Sequence, residues 1–531
     1  MTNSKVHIVA LLLGIAPVPV VLAQQAPAEV PRLVVGITVD QLRTDYLQAF
    51  EPLYGDNGLR RLMKEGVVMM NAQYASANID RASAVASVFT GTVPYNHGVI
   101  GERWIDRNTL SVVSCVEDAD YRRFSFSEGY SPKRLLVSSV GDELKVATGG
   151  KALVYAFSPF ADAAVLSAGH AADAAFWMDD IQGNWTTSSY YGDQPDWVDM
   201  LTKKDILSHI RQEVWKPTNY VVGAYNYYVP GRAEKETFQH RFSGANPIAD
   251  FKHSGLINEQ VRKAVSTCLS YSDIGHDEVT DMIAVTFYAG RYNRLPLADC
   301  AIELQDTYVR LDEEIAALLR DIDQRVGLNR TLVFLTSTGY EEEDNGDLKT
   351  YRIPSGTFQT GKCAALLNMY LSAVYGPGQY VEKYYGSSLY LNHRLLEDKQ
   401  IQMTDLLDRA EDFLFLYAGV RDVYTSRRLT QGAWTPGISR LRNAYHPQCS
   451  GDILIEVRPG WVIEDDDAQT QRLVRDSYLE FPLFFFGNGL APERVSTPVT
   501  VDCVAPTVTH YMRIRAPNAC ASRPLMEVFG Q

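Results

Sequence analysis

Continuous apolar or β-branched runs punctuate the chain at Leu33–Val39, Met282–Phe287, Thr331–Thr336 and Phe481–Phe486. Each is short, and none alternates with polar residues, the pattern of a strand covered on both faces of a sheet. Between them lie stretches such as Asp306–Leu319, whose apolar residues recur at roughly helical spacing. Strand–helix alternation over this length predicts an α/β fold, with helices on both sides of one sheet as an α/β/α sandwich. Asp452–Val457 reads as a further strand, and Asp405–Tyr417 as a strong helix. Two stretches read as insertions into this alternation. One, at about 150–265, is rich in Tyr, Trp and Gly; the other, at about 350–450, holds the Asp405 helix and a loop at Arg440–Asp452.

The first residues follow another pattern. Lys5 precedes a largely apolar run from Val6 to Leu22, and Val21-Leu22-Ala23 offers a small-residue cleavage site. Residues 1–23 therefore read as a signal peptide, leaving 24–531 as an exported mature chain. Pro17 and Pro19 make that run a poor permanent anchor, and no later segment is apolar enough to span a bilayer. The net charge of −14 excludes nucleic acid as an expected partner. Seven cysteines (Cys115, Cys268, Cys300, Cys363, Cys449, Cys503 and Cys520) leave at least one without an intrachain partner. Cys503 with Cys520 is one possible disulfide, and no CxxC or Cys/His spacing suggests structural zinc.

Several motifs, in order, carry a resemblance. They are Gly36-Ile37-Thr38-Val39-Asp40-Gln41-Leu42-Arg43, Phe89-Thr90-Gly91-Thr92-Val93-Pro94 with His97-Gly98-Val99-Ile100-Gly101, and Ala168-Gly169-His170 running on to Phe176-Trp177. Leu389-Tyr390-Leu391-Asn392 and Tyr445-His446-Pro447 with Ser450-Gly451-Asp452-Ile453-Leu454 complete the set. Together they resemble the alkaline phosphatase superfamily, in its PafA-like periplasmic phosphatase and type I phosphodiesterase/nucleotide pyrophosphatase group, from about Pro31 to about Val528. The resemblance implies one alkaline phosphatase-like domain over 24–531, with a central mostly parallel sheet and two inserted subdomains. It also implies two zinc ions, one activating a Thr or Ser nucleophile and the other polarising the phosphate.

Carried over position by position, that chemistry is largely gone. Asp40 is the only family ligand retained. Arg81 falls where the nucleophile belongs, and a guanidinium has no acceptor and cannot attack phosphorus. Glu102 replaces the phosphate-binding Asn. Phe287, Arg291, Thr338, Gly339 and Glu480 stand at zinc-ligand positions, and Phe160 and Asp162 at the Lys and Arg clamp. The expectation is an exported pseudoenzyme with no cofactor. Its role would be binding or scaffolding in the periplasm or cell envelope of a Gram-negative bacterium, with an unidentified protein partner, including as a subunit of a larger complex.

Blander readings compete at each residue. Asp40 reads more simply as a loop or N-cap carboxylate retained for folding than as a metal ligand. Arg81 would pair with Asp40 or Glu102 and fill the former metal cavity with a salt bridge. Ser83 and Ser87 lack a visible base, and His97, His170 and His446 belong to scaffold motifs. The acidic runs Glu341-Glu342-Glu343-Asp344 with Asp347, and Glu464–Asp467, match no EF-hand spacing. Aromatics around Tyr190, Tyr191, Tyr225, Tyr227 and Tyr228 suit a sugar- or peptide-binding face or simple packing. Two alternatives to the pseudoenzyme stay open. One is a metal-dependent phosphomonoesterase or phosphodiesterase rebuilt around Asp40, Glu102 and Glu480, with two zinc ions. The other is a non-hydrolysing binder of phosphorylated ligands using Arg81, Arg103 and Arg291.

Overall fold

The computed structural model describes residues 29–122, 129–202, 206–225, 237–340, 352–432, 436–465, 470–474 and 479–529. The expected signal segment, the acidic run at 341–347, Asp466 and Asp467, and Tyr227 and Tyr228 lie outside the described residues. One ten-stranded sheet organises the chain. Its strands are β1 (Leu33–Asp40), β2 (Val67–Gln73), β3 (Val154–Ser158), β4 (Ala174–Met178), β5 (Trp185–Thr186), β6 (Asp281–Tyr288), β7 (Thr331–Ser337), β8 (Phe481–Gly487), β9 (Glu493–Val495) and β10 (Val499–Thr500). The order is β9-β2-β8-β7-β1-β6-β3-β4-β5, with β10 also on β2. β1 lies at the centre, parallel to β6 and β7, and β3 and β4 continue the parallel run. β8 breaks it, lying antiparallel to both β7 and β2.

The four apolar runs become β1, β6, β7 and β8 with boundaries shifted by at most a residue or two. Alternation then assigns their side chains to two cores. Leu33, Val35, Ile37 and Val39 of β1 enter one core, together with apolar residues of α3 (Ile257–Tyr271) and α4 (Leu297–Arg325). Val34 enters the other, with α1 (Arg81–Thr90) and α2 (Ala161–Ala168). Gly36 shares that second face. A Cβ there would lie 2.5 Å from Phe334 and 3.2 Å from Phe89, so glycine lets α1 and β7 close over β1.

The insertions begin and end differently from the sequence expectation. Residues 150–178, expected within the first insertion, instead supply β3, α2 and β4 of the main layers. The insertion proper follows β5 at Thr186 and is tied down on α4, where Asp306 accepts from Trp215 Nε1 and Thr218 N, each at 2.6 Å. The second insertion has its own core. It contains a four-stranded sheet in the order Val381–Tyr385, Ser388–Leu391, Ile453–Val457, Val420–Thr425 and a three-stranded one ending at Thr470–Leu473. It therefore runs well past 450, and the Asp452 strand belongs to it, not to the central sheet. All seven cysteines carry free thiols, so the Cys503–Cys520 bond is not formed. No helix among the described residues is long and apolar enough to cross a membrane.

Candidate functional site

Three loops and helix ends meet beyond the C-terminal end of β1. Asp40 is the last residue of β1, on the face shared with Val34 and Gly36, and has no exposed surface. Arg81 is the first residue of α1. Asp80 caps that helix, accepting from Ser83 N at 3.0 Å while Ser83 Oγ accepts from Asp80 N at 3.0 Å. The second Asp80 oxygen accepts from Glu102 N at 2.5 Å, which fixes the loop after Gly101 beside the helix start. Asp162 lies in the first turn of α2, where an acidic side chain suits the helix dipole.

Arg81 gathers these groups. Its Nε contacts both Asp162 oxygens, at 3.0 and 3.2 Å. One terminal nitrogen lies 3.0 Å from Glu102, and the other 3.5 Å from Asp40. The face of the guanidinium stacks 3.8 Å from the Phe160 ring. Thr338 Oγ completes the shell of Asp40, donating to its other oxygen at 2.9 Å and accepting from Gln41 N. A cation at the first position of a helix opposes the macrodipole, so the three carboxylates are what hold it there. Although burial alone would pull the guanidinium pKa down, Asp162, Glu102 and Asp40 pull it well above its ordinary value.

The carboxylates bear the cost of crowding. Burial pushes the Asp40 pKa up, against the pull of Arg81 and Thr338. Burial, with Asp162, Asp80 and Asp40 adding to it, pushes Glu102 up to about 8 against the pull of Arg81. Glu102 stands at the rim with 37% of its side chain exposed, so water tempers that rise.

The structure thus brings together Asp40, Arg81, Glu102, Phe160, Asp162 and Thr338. Other expected positions lie elsewhere. Phe287 is paired with Val39 and packs in the opposite core, because period-two alternation turns it away from Asp40. Glu480 is exposed and its carbonyl accepts the Thr44 N–H. Arg103 is exposed on a short hairpin strand. Arg291 is buried, and its carbonyl accepts the Tyr288 hydroxyl at 2.7 Å. Gly339 sits against Tyr74 and Phe481, where a Cβ would lie 2.6 Å from each ring.

Asp162 is the strongest partner of Arg81, whereas the sequence pointed to Asp40 and Glu102. Ser87, which lacks a visible base in the sequence, has His97 Nε2 at 3.1 Å in the fold. The ring Nδ1 accepts from Val99 N, so Nε2 carries the proton and donates, while the serine donates to Ser83 O at 2.8 Å. That direction makes the pair a buried brace and not a nucleophile with its base. Burial holds His97 neutral, with its pKa down to about 3.

A two-zinc centre does not fit these residues. Zinc takes imidazole, thiolate or carboxylate donors in closed geometry. Among the described residues no group of three His, Cys, Asp or Glu side chains is arranged to hold a metal ion. Each carboxylate near Asp40 spends an oxygen on Arg81 instead.

Comparison with known proteins places this architecture. The model of the type I phosphodiesterase / nucleotide pyrophosphatase family matches residues 34–479, and the chain belongs to that family. It is 28% identical to alkaline phosphatase PafA of Elizabethkingia meningoseptica over 98% of this chain and 99% of that protein. Alkaline phosphatase PhoV of Synechococcus elongatus is 26% identical over 94% of this chain and 93% of its own length. The crystal structure of wild-type alkaline phosphatase PafA superposes with a TM-score of 0.83 at 25% identity, covering 95% of this chain and 100% of that one. The fold is that of an alkaline phosphatase, and the chain is a member of that superfamily similar to PafA.

Proposed function

We propose that this protein is an exported, non-hydrolysing member of its family. It acts by binding or scaffolding in the periplasm or at the cell envelope of a Gram-negative bacterium, including as a subunit of a larger complex. One observation carries the reading. The helix start where the resemblance expects a hydroxyl nucleophile presents Arg81, locked to Asp40, Glu102 and Asp162 and stacked on Phe160. A guanidinium can neither attack phosphorus nor accept a proton, and its nitrogens are committed to carboxyl groups of the chain itself.

The same contacts weigh against both alternatives. A phosphate binder needs a cation with donors to spare, and Nε, Nη1 and Nη2 of Arg81 are each already engaged by a carboxyl group of this chain. A hydrolase rebuilt around Asp40, Glu102 and Glu480 needs those groups to converge, and Glu480 is exposed outside the cluster. The test is elemental analysis of the purified mature protein for zinc, with p-nitrophenyl phosphate hydrolysis in added Zn²⁺. The expected result is no stoichiometric zinc and no turnover above buffer. Turnover with about two zinc ions per chain, the stoichiometry of a two-metal site, would sink the proposal. Sizing of the native protein and capture of its partner from the envelope then test the scaffold role.

A further inference from the structure

The misfit between this cluster and a metal centre points to something more specific, which rests on the non-hydrolysing reading above. We infer that Arg81 is a built-in counter-cation: its guanidinium takes over the neutralising charge that a divalent metal would supply to Asp40, Glu102 and Asp162.

Three features support this. First, the three carboxylates come from separate elements, the end of β1, the loop after Gly101 and the start of α2, and converge on one cation. Ionised carboxylates crowd in this way only with positive charge between them; the alternative is that one of them holds a proton. Second, Asp40 is wholly buried and Asp162 nearly so, with side chains 0% and 9% exposed. With Arg81 in place, water and mobile ions therefore do not reach Asp40. Third, the planar fork of an arginine directs its nitrogens to three different acceptors at once. Nε, Nη1 and Nη2 each serve a different carboxylate here, while the π-face rests on Phe160. A lysine ammonium has no such spread.

It follows that the folded state needs no divalent ion, and that removing Arg81 creates a demand for one. The experiment is thermal unfolding of the mature protein and of Arg81→Lys, Arg81→Ala and Arg81→Ala/Asp162→Asn, each in EDTA, in Ca²⁺ and in Zn²⁺. The wild-type midpoint should be the same in all three. Arg81→Ala should lose several degrees in EDTA and regain much of that loss in millimolar Ca²⁺ or Zn²⁺. Arg81→Lys should fall between the two, and the double variant should lose less and respond less to cation. If Arg81→Ala fails to fold, the lysine and double variants still decide the matter.

A wild-type midpoint raised by divalent ion and lowered by EDTA would overturn the inference. So would an Arg81→Lys loss equal to that of Arg81→Ala, or the absence of any cation response in the variants. Phosphatase turnover is read separately. Turnover sinks the proposed function, whereas metal-indifferent variants without turnover sink this inference alone.

Discussion

Two buried carboxylate clusters lie on the α1 side of the sheet, and they are built in opposite ways. Asp142, in the helix Val140–Ala147, accepts from Ser139 N at 2.8 Å and from His170 N and Ala171 N at 2.7 Å each. His170 Nδ1 adds a fourth contact at 3.0 Å, and its Nε2 reaches Leu135 O at 2.8 Å. One carboxylate there faces an ample supply of donors. Around Arg81 the ratio is inverted, with three carboxylates dividing one guanidinium. The first cluster is a folding device complete in itself. The second has more carboxyl groups than cations, so its acidic members compete for one donor group.

Removing the central carboxylate separates the two most sharply. Asp142→Ala strands three backbone N–H groups and a histidine, and should cost about 3–5 kcal/mol in chemical denaturation. A cost below about 1 kcal/mol, the net worth of one ordinary hydrogen bond, would break the contrast. Gly169→Ala should follow at about 2 kcal/mol. The backbone φ there is +81°, and a Cβ would lie 2.1 Å from Ser139 Oγ and 2.9 Å from Asp142. Asp162→Asn should cost only about 1 kcal/mol, since it loses charge-assisted contacts but also relieves the crowding. A loss equal to that of Asp142→Ala would mean the Arg81 cluster is no more crowded than its neighbour.

The smallest effects are in pH dependence, where the two clusters share a sign but not a window. The hydrogen bond to Asp142 raises the His170 pKa above its ordinary 6.5, so the folded state holds a proton that the unfolded chain releases. That stability is fully present below pH 6.5 and is lost as pH rises through the folded value. Glu102, raised from 4.5 to about 8, makes stability fall over a lower and wider range, starting near pH 4.5. His170→Gln should remove slope only above pH 6.5, and Glu102→Gln should remove slope from pH 4.5 upward. Measuring the unfolding midpoint from pH 4 to 9 checks both. Indistinguishable profiles would remove this distinction between the clusters.

What could be read along the chain was periodic and local. The all-apolar runs at Leu33, Met282, Thr331 and Phe481 marked four strands, and the ordered motifs marked the family. Reading failed where signals were short or shared. The five-residue strands β3 and β4 sit in an aromatic-rich stretch whose composition is that of the insertion beside them. The resemblance puts Phe287 at a zinc-ligand position, although alternation along β6 turns it into the other core.

The sequence by itself determined that Asp40 ends a buried strand and that position 81 carries an arginine, since strand period and chain order are local properties. Only tertiary structure decided that Arg81 would find Asp162, 81 residues away, more closely than Asp40, 41 residues away. Ion pairing depends on distance in space and on how water is excluded. Both are set when β1, α1 and α2 pack together, and neither is written in the order of residues along any one of them.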